Sequence, residues 1–302
     1  MGESWIFITI AAAFFQNLRS ALQKHLKGYL SLGAAAYCRF VYALPLALIY
    51  LLLLTSVGER TLPPSNVRFF VFCLLGAVAQ ILFTTTLLWM FSFKSFAVGT
   101  TFSKLEVIFV AVLGAVVLGD TLNLWASVAI GMSSLGVVLL SLGTNRLTLR
   151  GIATGLFHRQ TFVGFLCAAL LGACAVFFRA AALALEHDDF VTAAAWTLAV
   201  SLAIQSVLMG IYLAVREPDQ VREVLRQWRW ASAVGFTAAV ASIGWFTAFT
   251  IQNASYVRAL GQIELLFSFA ATVLFFREPV KPADIAGALL VCAGILVLVL
   301  YG

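Results

Sequence analysis

Along its 302 residues the chain alternates ten apolar stretches, most of them about twenty residues long, with short polar breaks. A run of ~20 apolar residues is what an α-helix needs to cross the hydrocarbon core of a bilayer. The pattern predicts helices over residues 4–22, 34–54, 68–90, 96–118, 124–142, 160–185, 190–215, 230–251, 255–276 and 283–301. Several breaks carry turn chemistry: Gly58 with Pro63 and Pro64, Gly119-Asp120, the acidic run Glu186-His187-Asp188-Asp189, and Arg277-Glu278-Pro279 with Pro282. The segment from Pro218 to Trp230 reads as a surface helix. Pro218 suits its first turn, Val221, Val224, Leu225 and Trp228 share a face, and Arg222, Arg226 and Arg229 turn to water or lipid phosphate.

Composition agrees with the pattern, since 62% of residues are hydrophobic and 11% charged, far from the balance of a soluble domain. The first stretch has no basic leader or small-residue cleavage site and carries Gln16, Asn17 and Arg19, so a retained helix is expected rather than a signal peptide. Cys38, Cys73, Cys167, Cys174 and Cys292 all fall in apolar stretches without metal-ligand spacing, and are expected as buried small hydrophobes. No metal or cofactor is implied.

The net charge of +6 reflects topology rather than nucleic-acid binding. Loops after spans 1, 3, 5, 7 and 9 carry Lys24, Lys27, Lys94, Arg146, Arg150, Arg159, Arg216, Arg222, Arg226, Arg229, Arg277 and Lys281; loops after even-numbered spans hold only Arg60 and Arg68. By the positive-inside rule both termini are expected outside the cytoplasm, in a multi-pass cell (inner) membrane protein.

The two halves of the chain echo each other. A shift of 158 residues lays Phe102–Leu142 over Leu260–Leu300 without a gap, with Glu106 on Glu264, Phe109 on Phe267, Asp120 on Glu278 and Gly136 on Gly294. Five spans per half is an odd number, so the halves enter the membrane in opposite senses, and the basic loops agree. The expected fold is an all-α integral membrane protein of ten transmembrane helices, arranged as two inverted five-helix repeats (1–150 and 151–302) that act as one unit around a central cavity.

At these residues the chain resembles the EamA-like family of the drug/metabolite transporter superfamily. The resemblance rests on Glu106, then Gly119-Asp120-Thr121-Leu122, then Gly131 and Gly136, and on the second set Glu264, Arg277-Glu278-Pro279, Gly287 and Gly294. It implies a permease whose cavity is lined mainly by spans 1, 3, 4, 6, 8 and 9. Many relatives carry proline near the positions of Val107 and Leu265, and the lack of it here weakens the argument for bent helices at those points. Many relatives also have cytoplasmic termini, against the loop charges of this chain.

Carboxylates at mid-membrane are costly and usually mark a solute or proton path, which makes Glu106 and Glu264 the leading candidates, with structural pairing as the alternative. Glu106 shares a helical face with Ser103, and Glu264 with Phe267 and Ser268. Lys104 and Arg258 are the basic candidates. Offsets of two and six residues keep each off the face of its nearest glutamate, so pairs of Lys104 with Glu264 or Arg258 with Glu106 must form across helices. Gln80, Gln262, Tyr256, Trp245 and Arg179 complete the expected substrate or proton path. Arg19 and Arg39 are expected to snorkel from helix ends, and Trp89 to anchor at the interface.

The function expected is a secondary transporter that moves a small polar or amphipathic organic metabolite, best matched by an amino-acid-like solute, by alternating access, with proton coupling as one way to drive it. An exporter of organic cations or drugs is the alternative. Its partners are a small-molecule solute and the lipid bilayer, with no nucleic acid; a monomer suffices and a dimer is compatible. A membrane enzyme is disfavoured because Leu118-Gly119-Asp120 resembles an intramembrane aspartyl protease only weakly and no second mid-span aspartate exists. A channel is disfavoured by the lack of a filter signature.

Overall fold

The computed structural model describes residues 4–26, 28–90, 102–144, 159–274 and 282–301, and every regular element among them is an α-helix. Lys27, Lys94, Arg146, Arg150, Lys281 and the Arg277-Glu278-Pro279 turn lie outside the described residues, as do the side chains of Lys24 and Ser268. In chain order the helices are α1 (Ser4–Leu26), α2 (Leu32–Val41), α3 (Leu44–Ser56), α4 (Val67–Met90), α5 (Glu106–Leu118), α6 (Leu124–Thr144) and α7 (Arg159–Leu183). They continue with α8 (Phe190–Arg216), α9 (Pro218–Arg226), α10 (Trp228–Ile251), α11 (Ala254–Gly261), α12 (Ile263–Leu274) and α13 (Pro282–Tyr301).

Among the described residues seven helical stretches are long and apolar enough to cross a membrane: Ser4–Gln23, Leu32–Ser56, Val67–Met90, Thr161–Leu183, Phe190–Arg216, Trp228–Ile251 and Pro282–Tyr301. The protein is therefore a multi-pass membrane protein. The other three expected spans correspond to shorter apolar helices. Residues 96–101 lie outside the described part of the fourth, Leu124–Leu140 is the apolar part of the fifth, and the ninth is divided at Gln262 into α11 and α12.

Three spans read as continuous rods are broken, each for a local reason. Residues 34–54 form two helices, because Pro45 in the first turn of α3 cannot donate an amide to Val41 and its ring clashes with that carbonyl. At 255–276 the chain leaves α11 at Gly261, a poor helix former, and Gln262 bonds in the tighter i→i+3 manner, its amide donating to the Ala259 carbonyl at 3.3 Å. The fourth span behaves alike at Lys104 and Leu105, where the Leu105 amide donates to the Phe102 carbonyl at 3.1 Å before α5 starts at Glu106. Both helices thus break without the prolines of the relatives.

The chain divides into two compact units, each drawing on both halves of the sequence: residues 1–85 with 174–252, and residues 86–173 with 253–302. In the first unit α1 lies along α10, and α8 packs on α2, α3 and α10. Small residues set these contacts, as expected where lipid gives helices little hydrophobic reason to associate. A Cβ on Gly244 would come within 2.8 Å of the Ala12 methyl, so α1 and α10 touch nearly backbone to backbone there. Helix α9 is the expected surface helix, ending at Arg226 rather than running on to Trp230. The Ser31 amide donates to Gln220 Oε1 at 2.9 Å, the Ser31 hydroxyl donates to Glu217, and Tyr42 donates to the Val224 carbonyl at 3.2 Å, which docks α9 on α2. Val224 is buried, whereas Leu225 and Trp228 stay exposed.

On the side of the first unit that carries Arg60, the acidic run is organised by Asp189. Its carboxylate caps α8 by accepting from the Val191 amide at 3.1 Å, and it accepts from Arg60 at 2.8 Å and Thr192 at 2.5 Å. Burial opposes the charge on Asp189, but those hydrogen bonds outweigh it and hold the carboxyl below its ordinary pKa.

The second unit is built on α6 against α13. A Cβ on Gly287 would meet the Leu140 amide nitrogen at 2.5 Å, and one on Gly136 would meet the Val291 nitrogen at 2.8 Å. Only glycine lets these backbones approach so closely. Helix α5 ends at Gly119 in the left-handed conformation (φ 68°), and the Gly119 and Asp120 amides close on the Ala115 and Gly114 carbonyls.

Candidate functional site

The breaks in the fourth and ninth spans bring the leading candidates together inside the second unit. Glu106 and Glu264 each fall in the first turn of a helix, α5 and α12, where exposed amides and the helix dipole favour a negative charge. Arg258 lies in the last turn of α11, the end that favours a cation. Arg258 Nη2 forms an ion pair with Glu106 Oε1, and Lys104 Nζ forms one with Glu264 Oε1. The Gln262 amide side chain donates to the Lys104 carbonyl at 3.4 Å. Two crossed ion pairs therefore join the break before α5 to the break before α12, the arrangement that helical spacing required if the pairs were to form at all.

The two pairs differ in access. Glu106 and Arg258 are 2% and 4% exposed, so their ion pair is buried. The Lys104 side chain keeps 26% of its surface open, which makes Lys104 with Glu264 the more accessible pair. Removing one partner of a buried pair leaves an uncompensated charge and costs about 3–5 kcal/mol. Ser103 is buried in this unit, and Tyr256 and Phe267 are partly buried. Phe102 packs on Phe165 with ring centroids 4.7 Å apart.

The remaining candidates belong to the first unit. Arg179 donates to the Phe249 carbonyl at 2.6 Å and to the Gln252 carbonyl, closing the C-terminal end of α10, where carbonyls lack intrahelical donors. Trp245 is buried and stacks on Phe249 at 5.7 Å. Gln80 accepts from Gln205 Nε2 at 2.7 Å. Gln205, fully buried in α8, was missed; the signal for it was a lone amide in a long apolar span.

Arg19 and Arg39 correct the expectation of snorkelling. They are 5% and 6% exposed, and their hydrogen bonds include ones to the neighbouring hydroxyls of Ser20 at 3.3 Å and Thr84 at 3.0 Å. Their position along the chain, near helix ends, did not reveal that Thr84 of α4 meets the Arg39 guanidinium. Trp89 lies at a helix end as expected, with the Arg159 guanidinium 5.0 Å from its ring centroid. Among the described residues no group of three or more His, Cys, Asp or Glu side chains gathers to hold a metal ion.

Residues 160–300 match the EamA-like transporter family. A solved crystal structure superposes with a TM-score of 0.71 over 99% of this chain and 98% of its own, at 15% identity, which establishes a shared fold. No curated protein matches the chain.

Proposed function

We propose, from the match of residues 160–300 to the EamA-like transporter family in a multi-pass membrane protein, that the chain is a secondary transporter of a small polar or amphipathic organic metabolite, best matched by an amino-acid-like solute. It works by alternating access across the cytoplasmic membrane, with ten spans in two inverted repeats and both termini outside. The family match supports a membrane transporter of the drug/metabolite type, and the crossed pairs Arg258–Glu106 and Lys104–Glu264 at two helix breaks support the finer assignment. Interrupted helices in a membrane expose backbone groups and helix ends where solutes and coupling ions bind.

In this mechanism the ion pairs hold the resting state. A solute ammonium or a proton that reaches Glu264 competes with Lys104, releases its charge and loosens the link between the two breaks. The buried Arg258–Glu106 pair then stays as the fixed element. The same chemistry supports a second reading, export of organic cations, in which aromatic faces such as that of Phe267 assist the carboxylates. Counterflow into proteoliposomes preloaded with amino acids, amines or sugar phosphates separates these readings. Accumulation of a labelled amino acid against its unlabelled form supports the first, accumulation of an amine alone supports the second, and no counterflow with any solute defeats both.

A further inference from the structure

Helix α9 joins the ends of two bilayer-length helices, α8 and α10, and so lies at one surface of the hydrophobic layer. Its two sides differ. The side that carries Gln220 and Val224 is docked on α2 through the Ser31 amide and the Tyr42 hydroxyl. Glu217, just before it, is held by the Ser31 hydroxyl and by the Tyr212 hydroxyl at 3.5 Å. The other side turns Arg222, Leu225 and Arg226 outward, and the first turn of α10 continues it with Trp228, Arg229 and Trp230. Leu225, Trp228 and Trp230 are 66%, 56% and 45% exposed, large apolar groups set among arginines. Glu223 already pairs with Arg226 at 3.7 Å and accepts from the Gln227 side chain at 3.2 Å, while Asp219 lies in the first turn of α9, where the helix dipole favours it. Arg222 and Arg229 form no ion pair among the described residues. The Arg229 guanidinium lies 5.6 Å from the Trp228 ring centroid, and Trp230 is steadied by the His25 ring of α1 at 4.6 Å.

Bulk water would solvate these arginines but leave Leu225 and two indole rings wet. A soluble anion would answer the arginines alone. The headgroup layer of the bilayer suits both, because indole rings settle at its level and guanidinium forks match phosphate oxygens. We propose that the outer side of α9 and the first turn of α10 bind the headgroup of an anionic phospholipid, with Arg222 and Arg229 on its phosphate and Trp228 and Trp230 beside its acyl-chain end. A zwitterionic headgroup carries its own cation, which offsets the attraction to arginine, so the lipid selected is one with net negative charge. The lipid and α2 hold opposite sides of α9, so lipid binding strengthens the docking through Ser31 and Tyr42 rather than competing with it. This site stands whether or not the chain moves a solute.

Thermal unfolding of the full chain tests this in nanodiscs of phosphatidylcholine alone and of equal mixtures with phosphatidylethanolamine or phosphatidylglycerol. Phosphatidylglycerol is expected to raise the melting temperature by about 2 °C or more, since a ligand that binds only the folded form stabilises it. Phosphatidylethanolamine is expected to give no rise, and potassium chloride to diminish the phosphatidylglycerol effect by screening exposed charges. Arg222→Gln combined with Arg229→Gln, both off the side docked on α2, is expected to lose at least roughly half of the rise. Arg68→Gln, which removes an exposed charge from the start of α4, is expected to keep it. Arg222→Gln alone, with a smaller loss expected, serves should the double variant not fold as a single helical species. No rise with phosphatidylglycerol, an equal rise with phosphatidylethanolamine, or a folded double variant that responds like the wild type overturns the inference. An equal loss in Arg68→Gln overturns it as well, by making the effect one of total charge. Inorganic phosphate added to phosphatidylcholine nanodiscs and giving the same rise assigns the arginines to a free anion and also overturns it. Solute flux without a lipid response removes the inference while transport stands; the lipid response without flux keeps the inference and removes the transport reading.

Discussion

Arg258 in the last turn of α11 is paired with Glu106 in the first turn of α5, two groups 152 positions apart that are buried together. Each lies at the helix end whose dipole favours its charge. Glu106→Gln is expected to destabilise the protein by about 3–5 kcal/mol, because it leaves the Arg258 guanidinium buried and uncompensated. The double variant Glu106→Gln with Arg258→Gln is expected to lose less than the sum of the single changes, as thermal unfolding in detergent would record.

Arg179→Ala removes a charged donor from two carbonyls at the end of α10. A loss of about 1.5–3 kcal/mol is expected from charge-assisted bonds of this kind. Hydrogen exchange would locate the effect, since amides near the C-terminal end of α10 are expected to lose protection before those of α8.

Gly287→Leu is expected to separate α13 from α6, since even its Cβ would meet a backbone nitrogen at 2.5 Å. Overpacking at such a seam costs about 1–3 kcal/mol or more. A lower melting temperature with an unchanged α9 docking site, read from protease resistance of the loop around Glu217, is the predicted result.

Asp189 gives a dependence on pH with a definite sign. Its carboxyl is held below its ordinary pKa in the folded protein by Thr192, Arg60 and the Val191 amide, against burial. Such a group stabilises the fold above its unfolded pKa of about 3.9, and the stabilisation is lost as pH falls through the folded value. The melting temperature of Asp189→Asn is expected to fall below that of the wild type at neutral pH, with the difference shrinking below about pH 4.

Spans long enough to cross the bilayer were legible as hydrophobic runs, because length and apolar content dictate membrane insertion whatever the tertiary contacts. The break at Pro45 was also legible, since its ring forbids a continuous helix, yet the apolar run on either side masked it. The breaks at Lys104 and Gln262 were not marked by proline and depend on local i→i+3 bonding. The crossed pairs could be reached by elimination, because helical spacing denied each base its neighbouring glutamate. Burial of Arg19 and Arg39 and the capping of α10 by Arg179 were out of reach, since each depends on helices far apart in the chain. Periodicity reports which face a residue occupies, and says nothing of what another helix lays against that face.

Counterflow of labelled solute into proteoliposomes, compared between the wild type and the double variant Glu106→Gln with Glu264→Gln, tests most directly that the crossed pairs govern transport. Transport at least about tenfold slower in a double variant that is folded and monodisperse is the expected result, the loss of a group acting in the rate-limiting step being worth about 1.4 kcal/mol or more. Flux equal to that of the wild type would contradict the account and leave Glu106 and Glu264 as structural ion pairs.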